Sequence, residues 1–191
     1  YAFNACSNLT SVTIGNSVTS IGEGTFANCS DLTSVTIPNS VTSIGEGAFY
    51  YCSSLTSVTI GNSVTSIGVD AFSDCTSLTS VTIGSSVTSI GKWAFWQCSS
   101  LNIIICKSAF PPTLGSSVWA NVPTNANVYV PCGRSSIYSA NTGWSRFTNI
   151  QDSSFINVEL SVNDSLMGHA EVLLNSCDST IIKATPNSGY V

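Results

Sequence analysis

The sequence predicts a β-rich solenoid of about five rungs of 23 residues, followed by a C-terminal capping segment and a small β-strand module. Three observations predict it. Cys6, Cys29, Cys52, Cys75 and Cys98 recur at a constant spacing of 23. The apolar residues between them repeat in the same register, as a stacked array requires. Ser, Thr, Val and Ile fill most other positions and Gly interrupts every few residues, which suits short strands and opposes helix.

Each unit is read in order as strand, turn, second apolar set and second bend. Leu9, Val12 and Ile14 recur as Leu32/Val35/Ile37, Leu55/Val58/Ile60 and Leu78/Val81/Ile83. Val12 and Ile14 point inward, so Ser11 and Thr13 point outward by strand alternation. Gly15-Asn16, or Pro38-Asn39 in the next copy, is turn chemistry. Val18, Ile21 and Phe26 recur as Val41/Ile44/Phe49, Val64/Ile67/Phe72 and Val87/Ile90/Phe95, and Gly22, Gly45, Gly68 and Gly91 mark the second bend. One such unit cannot bury its own apolar side. Stacked at about 4.8 Å per rung, the ladders close into one core.

The fifth unit keeps Leu101 and Ile104 and then departs, which puts Cys106 at the ladder position of Ile14. Ala2-Phe3 followed by Cys6 matches Ala48-Phe49 followed by Cys52. The chain is therefore expected to open inside a repeat, with a further rung and any export signal upstream.

The pattern L-x-x-V-x-I-G/P-x-x-V-x-x-I-G-x-x-A-F-x-x-C resembles the BspA-like branch of leucine-rich repeats over residues 1–105. The resemblance implies a right-handed leucine-rich-repeat superhelix. Pro111-Pro112-Thr113-Leu114, Val128-Tyr129-Val130-Pro131, Tyr138 and Gly143-Trp144 resemble that family's closing pattern, so residues 106–150 are read as the cap, with Trp119, Tyr129, Trp144 and Phe147 as covers. Residues 151–191 read as strands over 155–162, 170–174 and 180–185. Their ending, Lys183-Ala184-Thr185-Pro186-Asn187-Ser188-Gly189-Tyr190, resembles the A-T-P-x-x-G-Y segment of internalin-type modules, and that module is expected to be truncated.

Composition narrows the function. Charged residues are 8% of the chain, hydrophobic residues 43%, and the net charge is −5. Five Lys and Arg cannot make a phosphate-neutralising stripe, so nucleic acid is not an expected partner. No apolar run approaches the roughly 18 residues of a membrane span.

Catalysis has little to stand on. The single histidine, His169, lies far in sequence from a partner, and neither a nucleophile elbow nor a phosphate loop is present. No cofactor is expected. Paired Cys or Cys/His spacings for zinc are missing, so the Cys column is read as buried thiols donating weakly to carbonyls. Inter-rung disulfides are the alternative, since the rung spacing falls in the permitted range.

Two surfaces are candidates for binding. One is the outward array of Ser34/Thr36 and Ser57/Thr59, whose plain reading is soluble strand exterior. The other is the edge where the repeats differ. Tyr50, Tyr51, Trp93 and Trp96 are its aromatic anchors, and Asp70 and Asp74 its acids. The alternatives are that Trp93 and Trp96 pack against the cap and that the two acids sit in a solvated turn. Family resemblance implies a surface-displayed or secreted adhesion module, monomeric, with an extracellular or host protein, or a glycan, as partner. A rigid spacer is the competing structural reading, and a hydroxyl lattice for ice is disfavoured because such sheets curve.

Overall fold

The computed structural model describes residues 1–153 and, as backbone, the strands Ala170–Leu174 and Thr180–Ala184. The repeats form a parallel β-solenoid of about six turns. Its main sheet runs, in spatial order, through Ser34–Ile37, Ser57–Ile60, Ser80–Ile83, Ile103–Cys106, Asn127–Pro131 and Asn149–Ser153. A second sheet of short strands, from Ser20–Ile21 to Thr113–Leu114, lines another side. Register is strict: Ser34 pairs with Ser57, Ser57 with Ser80, and Ser80 with Ile103.

Alternation along each long strand buries Val35 and Ile37 while Ser34 and Thr36 stay exposed. The inward residues meet their copies in the neighbouring rungs, and the Phe column shows this most directly. Ring centroids of Phe3, Phe26, Phe49, Phe72 and Phe95 lie 5.1–5.3 Å apart with planes within 14°. No rung covers this surface alone, so the folding unit is the stack.

Polar groups follow the same period. The hydroxyls of Thr33, Thr56 and Thr79 each donate to the carbonyl of the equivalent Thr one rung earlier, at 3.0–3.2 Å. A second Thr column does the same through Thr42, Thr65 and Thr88. The thiols of Cys29, Cys52, Cys75 and Cys98 donate to the carbonyls of Phe3, Phe26, Phe49 and Phe72 at 3.2–3.3 Å. Burial pushes the Cys52 thiol up to about 12 and raises those of Cys29, Cys75 and Cys98 as well, which favours the protonated thiol at these four positions at neutral pH. All four are free thiols, and only Cys6 of the column is exposed.

The ladders run past residue 105. Cys106 pairs with Ile83, Leu114 with Ile90, and Trp119 stacks on Phe95 at 4.9 Å. The short strand slips to a spacing of 24, and Trp replaces Phe, so the pattern fades in sequence while the geometry persists.

Beyond Trp119 the stack is covered edge-on. Trp144 and Phe147 meet Trp119 at 60° and 73°, and Tyr138 meets Trp144 at 78°. Tyr129 is not a cover. It sits at an outward position of its strand, between the buried Val128 and Val130, and Tyr138 takes the place expected of it. The Tyr138 hydroxyl donates to the Ser108 carbonyl at 2.8 Å and lies 3.2 Å from the Cys106 sulfur.

Tyr138 rides on a short helix, Ser135–Ala140, that the repeat pattern does not foretell. Asp152 accepts the Arg134 and Ser135 N–H groups at its start. Burial alone would raise the Asp152 carboxyl; these donors overcome it and hold the group below its ordinary range. Cys132 is disulfide-bonded. Ala170–Leu174 and Thr180–Ala184 pair antiparallel, as two of the three strands expected there. The third, at 155–162, and the A-T-P-x-x-G-Y ending beyond Ala184 lie outside the described residues.

Close approach of the rungs explains the invariant glycines. A Cβ on Gly68 would stand 2.5 Å from the Gly45 carbonyl carbon and 2.7 Å from the Glu46 nitrogen, both backbone atoms that cannot swing aside. A Cβ on Gly22 would meet only the Thr25 hydroxyl at 3.6 Å. Gly68→Ala is therefore expected to cost about 2 kcal/mol or more by overpacking. Gly22→Ala should stay within about 0.5 kcal/mol of the parent. Urea denaturation of the two variants checks this; equal midpoints would refute the close-approach account.

Candidate functional site: the variable rung edge

Between the short strand of one rung and the long strand of the next, the backbone makes two tight bends around the buried Phe. Each bend holds a left-handed residue. The first column is Gly24, Gly47, Asp70, Trp93 and Ser117, with φ between 52° and 59°. The second is Asn28, Tyr51, Asp74, Gln97 and Asn121, with φ between 58° and 66°. The conformation turns each N–H toward the next rung: Gly24 donates to Glu46, Asn28 to Tyr50, Asp70 to Lys92 and Asp74 to Trp96, all at 2.7–2.9 Å.

Backbone geometry is thus fixed along this edge while its side chains differ from rung to rung. Glycine adopts it freely, and Asn and Asp tolerate it. For Trp93 and Tyr51 it costs about 1–2 kcal/mol each. The conformation recurs in every rung, so the fold imposes it whatever the side chain.

Three consecutive rungs contribute to one recess of about 410 Å³. Tyr50 comes from the first, Asp70, Ser73 and Asp74 from the second, and Trp93 and Trp96 from the third. Ser73 is buried, and its hydroxyl donates to an Asp74 carboxylate oxygen at 3.1 Å. The Lys92 ammonium sits 3.5 Å from the centroid of the Trp93 ring. Burial, together with the neighbouring Glu46 and Asp74 carboxylates, raises the Asp70 carboxyl; Lys92 offsets part of this. Burial and the same two aspartates raise the Tyr50 hydroxyl. A second recess of about 290 Å³ shares Tyr50 and Asp70 and continues past Glu46 and Glu23 to Tyr1. The Tyr1 hydroxyl is hydrogen-bonded to the Glu23 carboxylate.

Five of the residues singled out in the sequence therefore face one another: Tyr50, Asp70, Asp74, Trp93 and Trp96. Tyr51 lies beside Tyr50, ring centroids 6.0 Å apart, but outside the recess. Ser34, Thr36, Ser57 and Thr59 lie on the outer face of the main sheet, away from it. Trp93 and Trp96 do not belong to the buried core that the cap closes, and Trp93 is 38% exposed. Asp70 and Asp74 sit half-buried in the turns of their rung and line the same recess as the aromatic residues. The variable positions after each Ile-Gly and each Phe include Glu23, Glu46, Lys92 and Ser73, but variability alone does not show that they join the recess or its continuation. The Gly24 and Gly47 column was the available signal, because glycine there reports a left-handed backbone whose later occupants point outward.

A larger recess of about 530 Å³ lies between the last rung and the cap, lined by Leu114, Trp119 and Arg146 among others. Its one cation is already committed: the Arg146 guanidinium donates to the Trp119 and Val122 carbonyls. Among the described residues no three or more His, Cys, Asp or Glu side chains converge as metal ligands, and no helix is long and apolar enough to cross a membrane.

Two stability measurements test the edge. Trp93→Gly is expected to be about 1 kcal/mol more stable than Trp93→Ala, because only glycine relieves the left-handed strain. Chemical denaturation of both variants decides it, and the reverse order would remove strain from the account. For Asp70, a carboxyl raised in the folded state weakens the fold when it ionises, and that penalty vanishes below the unfolded carboxyl range, near pH 4. Asp70→Asn should then stabilise at pH 7 by less than about 1 kcal/mol after solvent screening. Melts at pH 7 and below pH 4 should show the gain only at the higher pH.

A family model described as the BspA type leucine rich repeat region matches residues 1–125 in six copies. Among solved structures, the leucine-rich repeat protein of T. pallidum superposes with a TM-score of 0.60 at 20% identity, over 75% of this chain and 70% of that one. A leucine-rich repeat protein from Bacteroides ovatus ATCC 8483 superposes at 0.51 and 27% identity, over 77% of this chain. A leucine rich cell surface protein from Faecalibacterium prausnitzii A2-165 has a TM-score of 0.42 and 29% identity over 65% of this chain. The match spans 43% and 38% of the length of these last two proteins. No curated protein matches by similarity. The T. pallidum likeness supports the solenoid fold, and BspA-type repeats occur in bacterial surface repeat proteins. The pattern, the parallel ladders and the six matched copies agree: this chain belongs to the BspA-type leucine-rich-repeat family.

Proposed function

We propose that the chain is a binding module, displayed on a bacterial surface or secreted, that recognises an extracellular or host protein through the variable edge of its repeats. The carrying observation is the recess itself. Near-identical rungs differ at few positions, and there Tyr50, Asp70, Asp74, Trp93 and Trp96 meet in one concave patch. Exposed aromatic residues on a rigid scaffold are the usual anchors of protein interfaces. Binding is preferred to catalysis because the serine hydroxyl bonded to Asp74 in the recess is itself buried, while the exposed Tyr50 and Trp93 offer aromatic surface. The chain is read as a monomer, and a glycan is the alternative ligand.

The spacer reading rests on the uniformity of the other rungs. It leaves unexplained why bulky residues occupy left-handed positions where glycine stands two rungs earlier. The purified chain should be screened against extracellular-matrix proteins and glycans, with Trp93→Gly and Tyr50→Ala/Tyr51→Ala as comparisons. A bound protein is expected to lose roughly tenfold or more in affinity with Trp93→Gly, as for an anchor residue. Attachment unchanged by both variants but altered by deleting a whole rung would support the spacer instead.

A further inference from the structure

The recess carries chemistry more specific than an aromatic patch. Its walls are the rings of Tyr50, Trp93 and Trp96, and Asp70 and Asp74 stand among them. The adjoining recess adds Glu46 and Glu23 along the same edge. Among the described residues Lys92 is the cationic side chain beside Asp70, and it lies on the ring of Trp93; the Tyr1 ammonium, at the far end of the edge, donates to the Glu23 carbonyl. An ammonium therefore already rests on the Trp93 ring, held by an exposed side chain that also offsets Asp70.

From this geometry we infer that the edge receives basic side chains of a polypeptide partner, with a lysine or arginine seated between Tyr50 and Trp93 against Asp70 and Asp74. The inference rests on the binding role proposed above and names the chemistry of the partner. Ring faces attract cations through their quadrupole, most strongly for Trp. Carboxylates held close together repel, and a cation placed between them relieves that repulsion. A neutral sugar would stack on the same rings without relieving it. A divalent metal would need more carboxylates converging than Asp70 and Asp74 supply. Because the two recesses share Tyr50 and Asp70, an extended segment with basic residues at intervals fits better than an isolated cation.

Lys92 has a definite part in this arrangement. It is the resident competitor, covering Trp93 and offsetting Asp70 until a partner displaces it. Removing its charge should therefore tighten binding of a basic ligand. A site for a neutral or acidic ligand would behave in the opposite way or not respond.

The test uses the full chain and a capped peptide alternating lysine with glycine, beside counterparts carrying norleucine or glutamate in place of lysine. Calorimetric titration supplies the affinities, and tryptophan fluorescence reports on Trp93 and Trp96. The lysine peptide should bind saturably and weaken as salt rises, with no binding of the other two. Lys92→Gln should tighten it by about threefold to tenfold, and Asp70→Asn/Asp74→Asn should weaken it by tenfold or more. Circular dichroism melts confirm that the variants fold, which Asp70→Asn is expected to do at least as well as the parent. Equal binding of the norleucine peptide, or weaker lysine binding in Lys92→Gln, overturns the inference. If a captured protein depends on Trp93 but not on salt or Lys92, the cation chemistry falls and the binding edge stands. If no ligand depends on Trp93, both fall.

Discussion

Everything in this molecule depends on one spacing, the roughly 5 Å between successive rungs set by parallel strand pairing and repeated in the Phe column. At that distance the interior admits almost no freedom. Leu, Val, Ile and Phe must meet their own copies, and a residue of another size would open a gap on one side or collide on the other. The bends at Gly68 and Gly84 must lack a Cβ, because the preceding rung's backbone occupies its place. Even the Thr and Cys columns answer to it, since each hydroxyl or thiol reaches one rung back to a carbonyl. Near-identity of the repeats is the consequence of a single period imposed on every layer.

The same constraint decides where variation is possible. The left-handed bends keep their backbone bonds to the next rung, and none of their side chains belongs to the buried core. Replacing glycine by Asp or Trp there costs local strain and leaves the core unchanged. The recess gathers several such costs in one place: Trp93 in an unfavourable backbone conformation, and Asp70 crowded by Asp74 and Glu46. A scaffold of about six cooperating turns can carry that burden where a small isolated domain could not. Locally unfavourable choices confined to one concave edge are what a site selected for recognition is expected to contain.

This division also governs what could be read from the sequence. The ladders were legible because a period of 23 repeats every interior contact, so that Ile14, Ile37, Ile60 and Ile83 identify one column without coordinates. The cap was legible only in outline. It has no period, so Tyr129 and Tyr138 were indistinguishable as covers until strand alternation put one outward and the short helix put the other inward. The rung after Ile104 faded because one inserted residue and a Phe-to-Trp exchange hid a geometry that persists. At the edge, variability pointed to the right residues but could not say which of them meet. Tyr50 and Tyr51 are adjacent in sequence, yet the left-handed turn at Tyr51 sends the two rings to different surroundings.

On the binding role proposed above, the specificity of the recess lies in the order of its rungs. Tyr50, the Asp70–Asp74 pair and the Trp93–Trp96 pair belong to three successive turns, each held in place by the same interior contacts. Exchanging two rungs would preserve every ladder, because their inward residues are interchangeable, and would separate the aromatic walls from the carboxylates. On that reading, stability and recognition are nearly independent in this fold. The first depends on what the rungs have in common, and the second on the few outward positions where they differ and on which neighbours those positions are given.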